Sequence, residues 1–198
     1  NPVGLSVNIS YNGSSSPPKN AGTYSVVATV VDGEYTGSTN GTFVINKADL
    51  FFRIDSKTRP YGEENPDFTA TYIGFLGNDN ISDIDVRPVL ICSASAFTNV
   101  LNPPTPIQYI NNSAHDDNYN LIPSPFPAFL TVTRAILTVT ADDKTKLYGE
   151  EIPPLPVSYT GFKLGQTQTV LLTAPAVSTT ATQFSNVGSY EITVAGGV

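Results

Sequence analysis

The chain has no tryptophan and no methionine, a single cysteine and a single histidine, and charged side chains make up only 14% of its 198 residues. Each scarcity removes a class of explanation. With Cys92 alone there is no disulfide to staple small domains, so each must hold itself by its own core. Cys92 stands in the apolar run Val89-Leu90-Ile91-Cys92 and reads as a buried, inert thiol. The one histidine, His115, sits beside Asp116 and Asp117. Alone it cannot hold zinc, and it has no nucleophile in an elbow context to complete a triad, so it reads as part of a solvated turn. No apolar run is long enough to span a bilayer.

Positive charge is also short. Ten Lys and Arg face 17 Asp and Glu, giving a net charge of −7 and a pI near 4.5. Such a surface repels phosphate backbones and anionic lipid, which argues against nucleic acid and against membrane contact. It suits a secreted protein. Most of the excess lies in residues 47–133, which carry 5 basic and 10 acidic side chains.

Strand formers and turn formers supply the rest. Valine, isoleucine, threonine, tyrosine and phenylalanine abound beside 15 glycines and 16 prolines, and the fold class this predicts is all-β. Alternation over 24–31, 135–141 and 189–194 predicts strands with one buried face. The helix candidates are two short stretches, 80–85 and 166–172, each about a single turn.

Residues 47–78 lie over residues 134–165 without a gap, at a constant offset of 87. Lys57-Thr58, Tyr61-Gly62-Glu63-Glu64, Pro66, Tyr72, Gly74 and Phe75 face Lys144-Thr145, Tyr148-Gly149-Glu150-Glu151, Pro153, Tyr159, Gly161 and Phe162. A third, partial copy precedes them: Asn20-Ala21-Gly22-Thr23-Tyr24 resembles Asn186-Val187-Gly188-Ser189-Tyr190. The repeats divide the chain into 1–46, the C-terminal part of a module; 47–133, a complete module; and 134–198, a module cut short at its C-terminus. Tandem small β-domains with almost no linker predict an extended rod, each domain a β-grasp-like sheet or an immunoglobulin-like sandwich. The expectation is a piece of a longer array.

These residues carry a resemblance. Lys-Ala or Arg-Ala, then Leu137-Thr138-Val139-Thr140-Ala141-Asp142-Asp143-Lys144-Thr145, Tyr148-Gly149-Glu150, Tyr159-Thr160-Gly161-Phe162 and Val187-Gly188-Ser189-Tyr190-Glu191-Ile192 are similar to the MBG-type (YGX-type) repeat domains of large bacterial surface proteins, notably of Bacteroidetes. The N-terminal stretch, with Val7–Ser14 and Tyr35-Thr36-Gly37-Ser38, resembles a sister type. The resemblance implies tandem extracellular modules of an adhesin-like protein at the bacterial cell surface, acting as stalks. It names no ligand.

Candidate sites are few. Where the last copy has Val187–Ile192, the middle one has Val100–Ile107, two residues longer, without the glycine turn and its tyrosine. Asn102, Pro103, Pro104, Thr105 and Pro106 then form a stiff, exposed loop outside any ladder, a candidate for binding a glycan or a protein. Asp79, Asp83 and Asp85 offer hard oxygens for Ca²⁺, the one candidate cofactor, without a known calcium spacing. The pairs Glu63-Glu64 and Glu150-Glu151 fit general acid and base work poorly, since neighbours on an extended chain point apart. They read as solvated acids in a turn whose glycine, Gly62 or Gly149, takes a special backbone angle. Lys57 and Lys144 are candidates for an isopeptide crosslink but read as solvent-facing, and the five Asn-x-Ser/Thr triplets read as polar turns. Leu137, Val139, Tyr148, Tyr159, Phe162, Tyr190, Ile192 and their middle-module counterparts are the expected core.

The sequence thus points away from an enzyme and toward the spacer region of a surface adhesin, whose partners are neighbouring modules. The alternative is a glycan- or protein-binding module working through 101–107.

Overall fold

The computed structural model describes residues 4–100 and 104–197. Among them are fourteen strands, two 3-10 turns and no α-helix, so the chain is all-β. Among the described residues no helix is long and apolar enough to cross a membrane. Two compact units emerge: one comprises 1–56, 67–93 and 106–129, the other 57–66, 94–105 and 130–198.

In the first unit, β1 (Val7–Tyr11), β2 (Gly22–Val30) and β3 (Ser38–Ile45) form an antiparallel meander. Along β2 every second residue turns inward, as the alternation predicts. A second sheet has β4 (Ala48–Ile54) at its centre, antiparallel to β6 (Ala70–Ile73) and parallel to β9 (Tyr119–Pro123). Its inward residues are Ala48, Leu50, Phe52 and Ile54, with Leu50 wholly buried and Phe52 2% exposed. Burying each of these two is worth about 1.5–3 kcal/mol. Leu50, Ile84 and Tyr119 form one core cluster, flanked by Ala48, Tyr72, Phe75 and Leu121. The register sets Ala48 opposite Tyr119 and Leu50 opposite Leu121, so both strands turn the same face inward. β7 (Leu90–Cys92) and β8 (Thr105–Tyr109) add an antiparallel pair.

In the second unit, β5 (Lys57–Pro60) runs parallel to residues 130–133 of β10 (Ala128–Thr133). Pro60, which has no amide to donate, ends its strand. β11 (Thr138–Ala141) pairs with β12 (Val157–Thr160), and β13 (Ala176–Thr179) with β14 (Ile192–Ala195), both antiparallel.

The repeat is visible in the backbone. The 3-10 turns cover Ile81–Asp83 and Gln168–Val170, an offset of 87, and are the single turns expected after each Gly-Phe. Where the copies differ, pairing explains it. β4 is held on both sides and runs seven residues, whereas β11, paired with β12, runs four and begins later than the alternation from 135 suggests. β14 likewise begins at Ile192, three residues into its expected run.

Three expectations of burial are corrected. Tyr148 is 66% exposed and Tyr190 39% exposed, so neither is a core residue. Both line an open cleft of about 670 Å³ together with Lys144, Lys146 and Pro153. Leu137, Val139, Tyr159, Phe162 and Ile192 are half-buried, a thinner core than Leu50 and Phe52 provide. Cys92 is half-buried on β7 rather than enclosed.

Candidate functional site

Of the proline segment, Asn102 and Pro103 lie outside the described residues. Pro104 is half-buried, and Thr105 and Pro106 open β8 rather than extending a loop. In the ladder with β7, pairing starts just beyond, with Ile107 opposite Cys92, so Pro106 stands outside that ladder. Ile107 is 3% exposed, and that burial draws the segment into a strand.

The three aspartates do different work. Asp79 Oδ2 accepts the Tyr119 hydroxyl at 2.7 Å, and the Tyr119 oxygen in turn accepts the Leu76 amide at 2.9 Å. Burial, then the bond to Asp79, pushes the Tyr119 phenol above its ordinary pKa. Asp83 accepts the Asn80 amide at 2.8 Å and closes a capping box around the first 3-10 turn. Asp85 accepts the Asp117 amide at 2.8 Å. Its ligand atoms gather instead with those of His115 and Asp117, all within 4.8 Å of one another and all on exposed residues. His115 Nε2 and Asp117 Oδ1 are already 3.1 Å apart.

Asp116, beside them, is 4% exposed. Its carboxylate accepts the amides of Asn118 and Tyr119 at 2.8 Å and of Asp85 at 3.2 Å, so it is fully engaged in shaping the turn into β9. Lys47 Nζ donates to the Asp116 carbonyl at 2.6 Å, and Asn118 Oδ1 accepts the Ala21 amide at 2.8 Å.

The glutamate pairs occupy the turns expected of them. Gly62 has φ +82° and Gly149 φ +85°, a region costly for other residues. Glu63 donates its amide to the Pro60 carbonyl, and Glu150 to the Leu147 carbonyl, the same closure in both copies. Their side chains diverge. Glu63 Oε1 pairs with Lys163 Nζ at 2.5 Å, and that bond, with the lysine's charge, holds the carboxyl below its usual range. Tyr61 beside it accepts Gln166 Nε2 at 3.0 Å. Glu150 Oε2 accepts the Leu147 amide within its own turn at 3.0 Å.

One residue the sequence did not mark is Arg59, 4% exposed. Its guanidinium donates to Asn65 Oδ1 at 2.8 Å, to the Pro60 carbonyl at 3.2 Å and to the Ser95 carbonyl, while Asn65 Nδ2 reaches the Ala94 carbonyl at 2.6 Å. Lys146, at offset 87, does the same with one amine, reaching the carbonyls of Gln183, Glu150 and Leu147 at 2.9–3.2 Å. Both cations tie the turn to the chain facing it. The signal was a basic residue two places before each Tyr-Gly-Glu.

Neither the curated proteins nor the solved structures gave a match. Family models did: an MBG domain over residues 1–49, and an MBG domain of the YGX type over 50–125 and again over 137–198. The glycine and tyrosine that give the type its label are the ones set in the turns at 61–62 and 148–149. With all but residues 126–136 covered by such matches, the chain belongs to the MBG domain family, as one MBG domain followed by two YGX-type repeats.

Proposed function

We propose that these modules are the spacer region of an extracellular adhesin of the bacterial cell surface, setting the distance between its anchor and its binding end. MBG domains are repeats of large surface proteins, which supplies the setting. One observation carries the reading: what recurs between the copies is packing. Tyr72 and Phe75 stack at 6.1 Å and 39°, and Tyr159 and Phe162, 87 residues on, at 5.7 Å and 38°. Gly74 and Gly161 bring the backbone against the Asp49 and Ile136 carbonyls, again at matching positions. A residue repeated to do the same structural job in each copy serves the module rather than a ligand. The reading assigns no catalysis and no resident metal, and its partners are neighbouring modules.

The test is a binding survey. The chain, monomeric and clustered on beads, is applied to arrays of glycans and extracellular proteins; a spacer gives no specific retention. Reproducible retention that disappears when residues 104–106 are replaced by Gly-Ser-Gly would overturn this reading in favour of a ligand-binding module.

A further inference from the structure

The Tyr-Gly-Glu turn exists twice, once covered and once open. In the covered copy, the 161–166 loop lies on it: Gln166 donates to the Tyr61 hydroxyl, Lys163 pairs with Glu63, and the Lys163 side chain sits so close over Gly62 that a Cβ there would collide with it. In the open copy, Tyr148 is 66% exposed and Leu147 72%, and among the described residues nothing lies within 4 Å of where a Cβ on Gly149 would be. Backbone angle, turn closure and the Tyr-Gly-Glu-Glu side chains are the same in both copies, while Leu147 and Lys146 stand where the covered copy has Pro60 and Arg59. An exposed tyrosine and leucine beside a glutamate and a bare glycine face form a surface with its occupant removed.

We propose that the Tyr148-Gly149-Glu150 turn is a docking site for the Gly-Phe-Lys-x-Gly-Gln loop of another YGX-type module. This deepens the spacer reading and rests on it. The occupant is defined by the covered copy: a lysine two residues after the Gly-Phe phenylalanine's glycine, as at 163, answers the glutamate, and a glutamine at the 166 position answers the tyrosine hydroxyl. The loop of the middle module does not qualify. There the corresponding residues are Leu76 and Asp79, and Asp79 is taken by Tyr119. Docking is therefore selective among modules that share a fold.

The test extends the whole chain: residues 1–196 are followed directly by residues 112–198, which places the added copy at the repeat's offset of 87 less the two residues by which the middle segment is longer, and supplies a second 161–166 loop. In ¹⁵N-resolved NMR the amide signals of the first Gly149 and Glu150 shift relative to the parent chain, and Lys163→Gln in the added copy alone abolishes the shift. A cyclised peptide of residues 159–168, titrated into the parent chain, gives the same lysine-dependent shifts and serves if the added module fails to fold. Signals that stay in place in both experiments, or that move regardless of the lysine, overturn the proposal. The binding survey is untouched by that outcome, so failure here and failure of the spacer reading are told apart.

Discussion

Residues with equal rank in the repeat carry unequal loads. Leu50 is wholly buried at the centre of a three-stranded sheet, and Leu50→Ala should cost about 2–5 kcal/mol in denaturant unfolding. Tyr148, at a position repeated just as faithfully, touches little beyond Phe184, 6.2 Å away edge to face. Tyr148→Ala should stay within about 0.5 kcal/mol of the parent chain, as surface changes do. Gly74 has φ +122°, and a Cβ would stand 2.7 Å from the Asp49 carbonyl. Gly74→Ala should therefore lower the melting temperature well beyond any Tyr148 change, and Gly161→Ala should follow it. The sequence showed that Tyr148 and Gly161 recur but not why. Recurrence marks a position as used; whether it faces a core or a junction depends on which distant segment lies over it, and that pairing leaves no local trace.

At the scale of elements, strand length follows from partners. The alternation at 24–31 was legible because β2 is hydrogen-bonded on both sides, by β1 and β3, and shows its two faces plainly. Alternation at 135–141 overstated β11, because β-propensity reports a fit to a pleated surface and not the presence of a neighbour. Thr105 and Pro106 misled in the opposite direction, since proline density suggested a loop while Ile107 beside them was drawn into the core. Arg59 spans the turn at the end of β5 and the segment 94–95, with Asn65 as its second arm. Each buried acceptor left unpaired costs about 1–3 kcal/mol, so Arg59→Ala should destabilise severely. Lys146→Ala, on a half-buried amine reaching solvent, should lose only about 0.5–1.5 kcal/mol by the same measurement.

For the whole molecule, composition had already fixed the class and the repeat had fixed the offset, but the link between Glu63 and Lys163, 100 residues apart, was out of reach. A single sequence shows like positions in two copies; it does not show unlike positions in contact. This link gives a pH response whose sign is determined. Lysine bonding lowers the Glu63 carboxyl in the folded chain, so the pair's contribution is present at neutral pH, above the unfolded carboxylate's range. It is lost as acid carries the solution down through the lowered value. The side-chain amide signal of Gln166 and the shifts of Lys163 should report the loosening as the pH falls below the ordinary carboxylate range, and Glu63→Gln should remove that step while leaving the melting of the Leu50 core unchanged. Added salt should weaken the pair as well, since both side chains are part exposed.

The difference between Leu76-Asp79 and Lys163-Gln166 has a genetic consequence. Two modules of one fold, alike in their stacking aromatics and their glycine approaches, differ over the last four places of this loop, and two of those places decide what may follow a Tyr-Gly-Glu turn. Duplication of a unit that carries lysine and glutamine can lengthen an array, but shuffling cannot reorder it freely: a unit moved behind the wrong neighbour brings leucine and aspartate where lysine and glutamine are read. The succession of modules is thereby spelled in the protein itself, in a two-letter address.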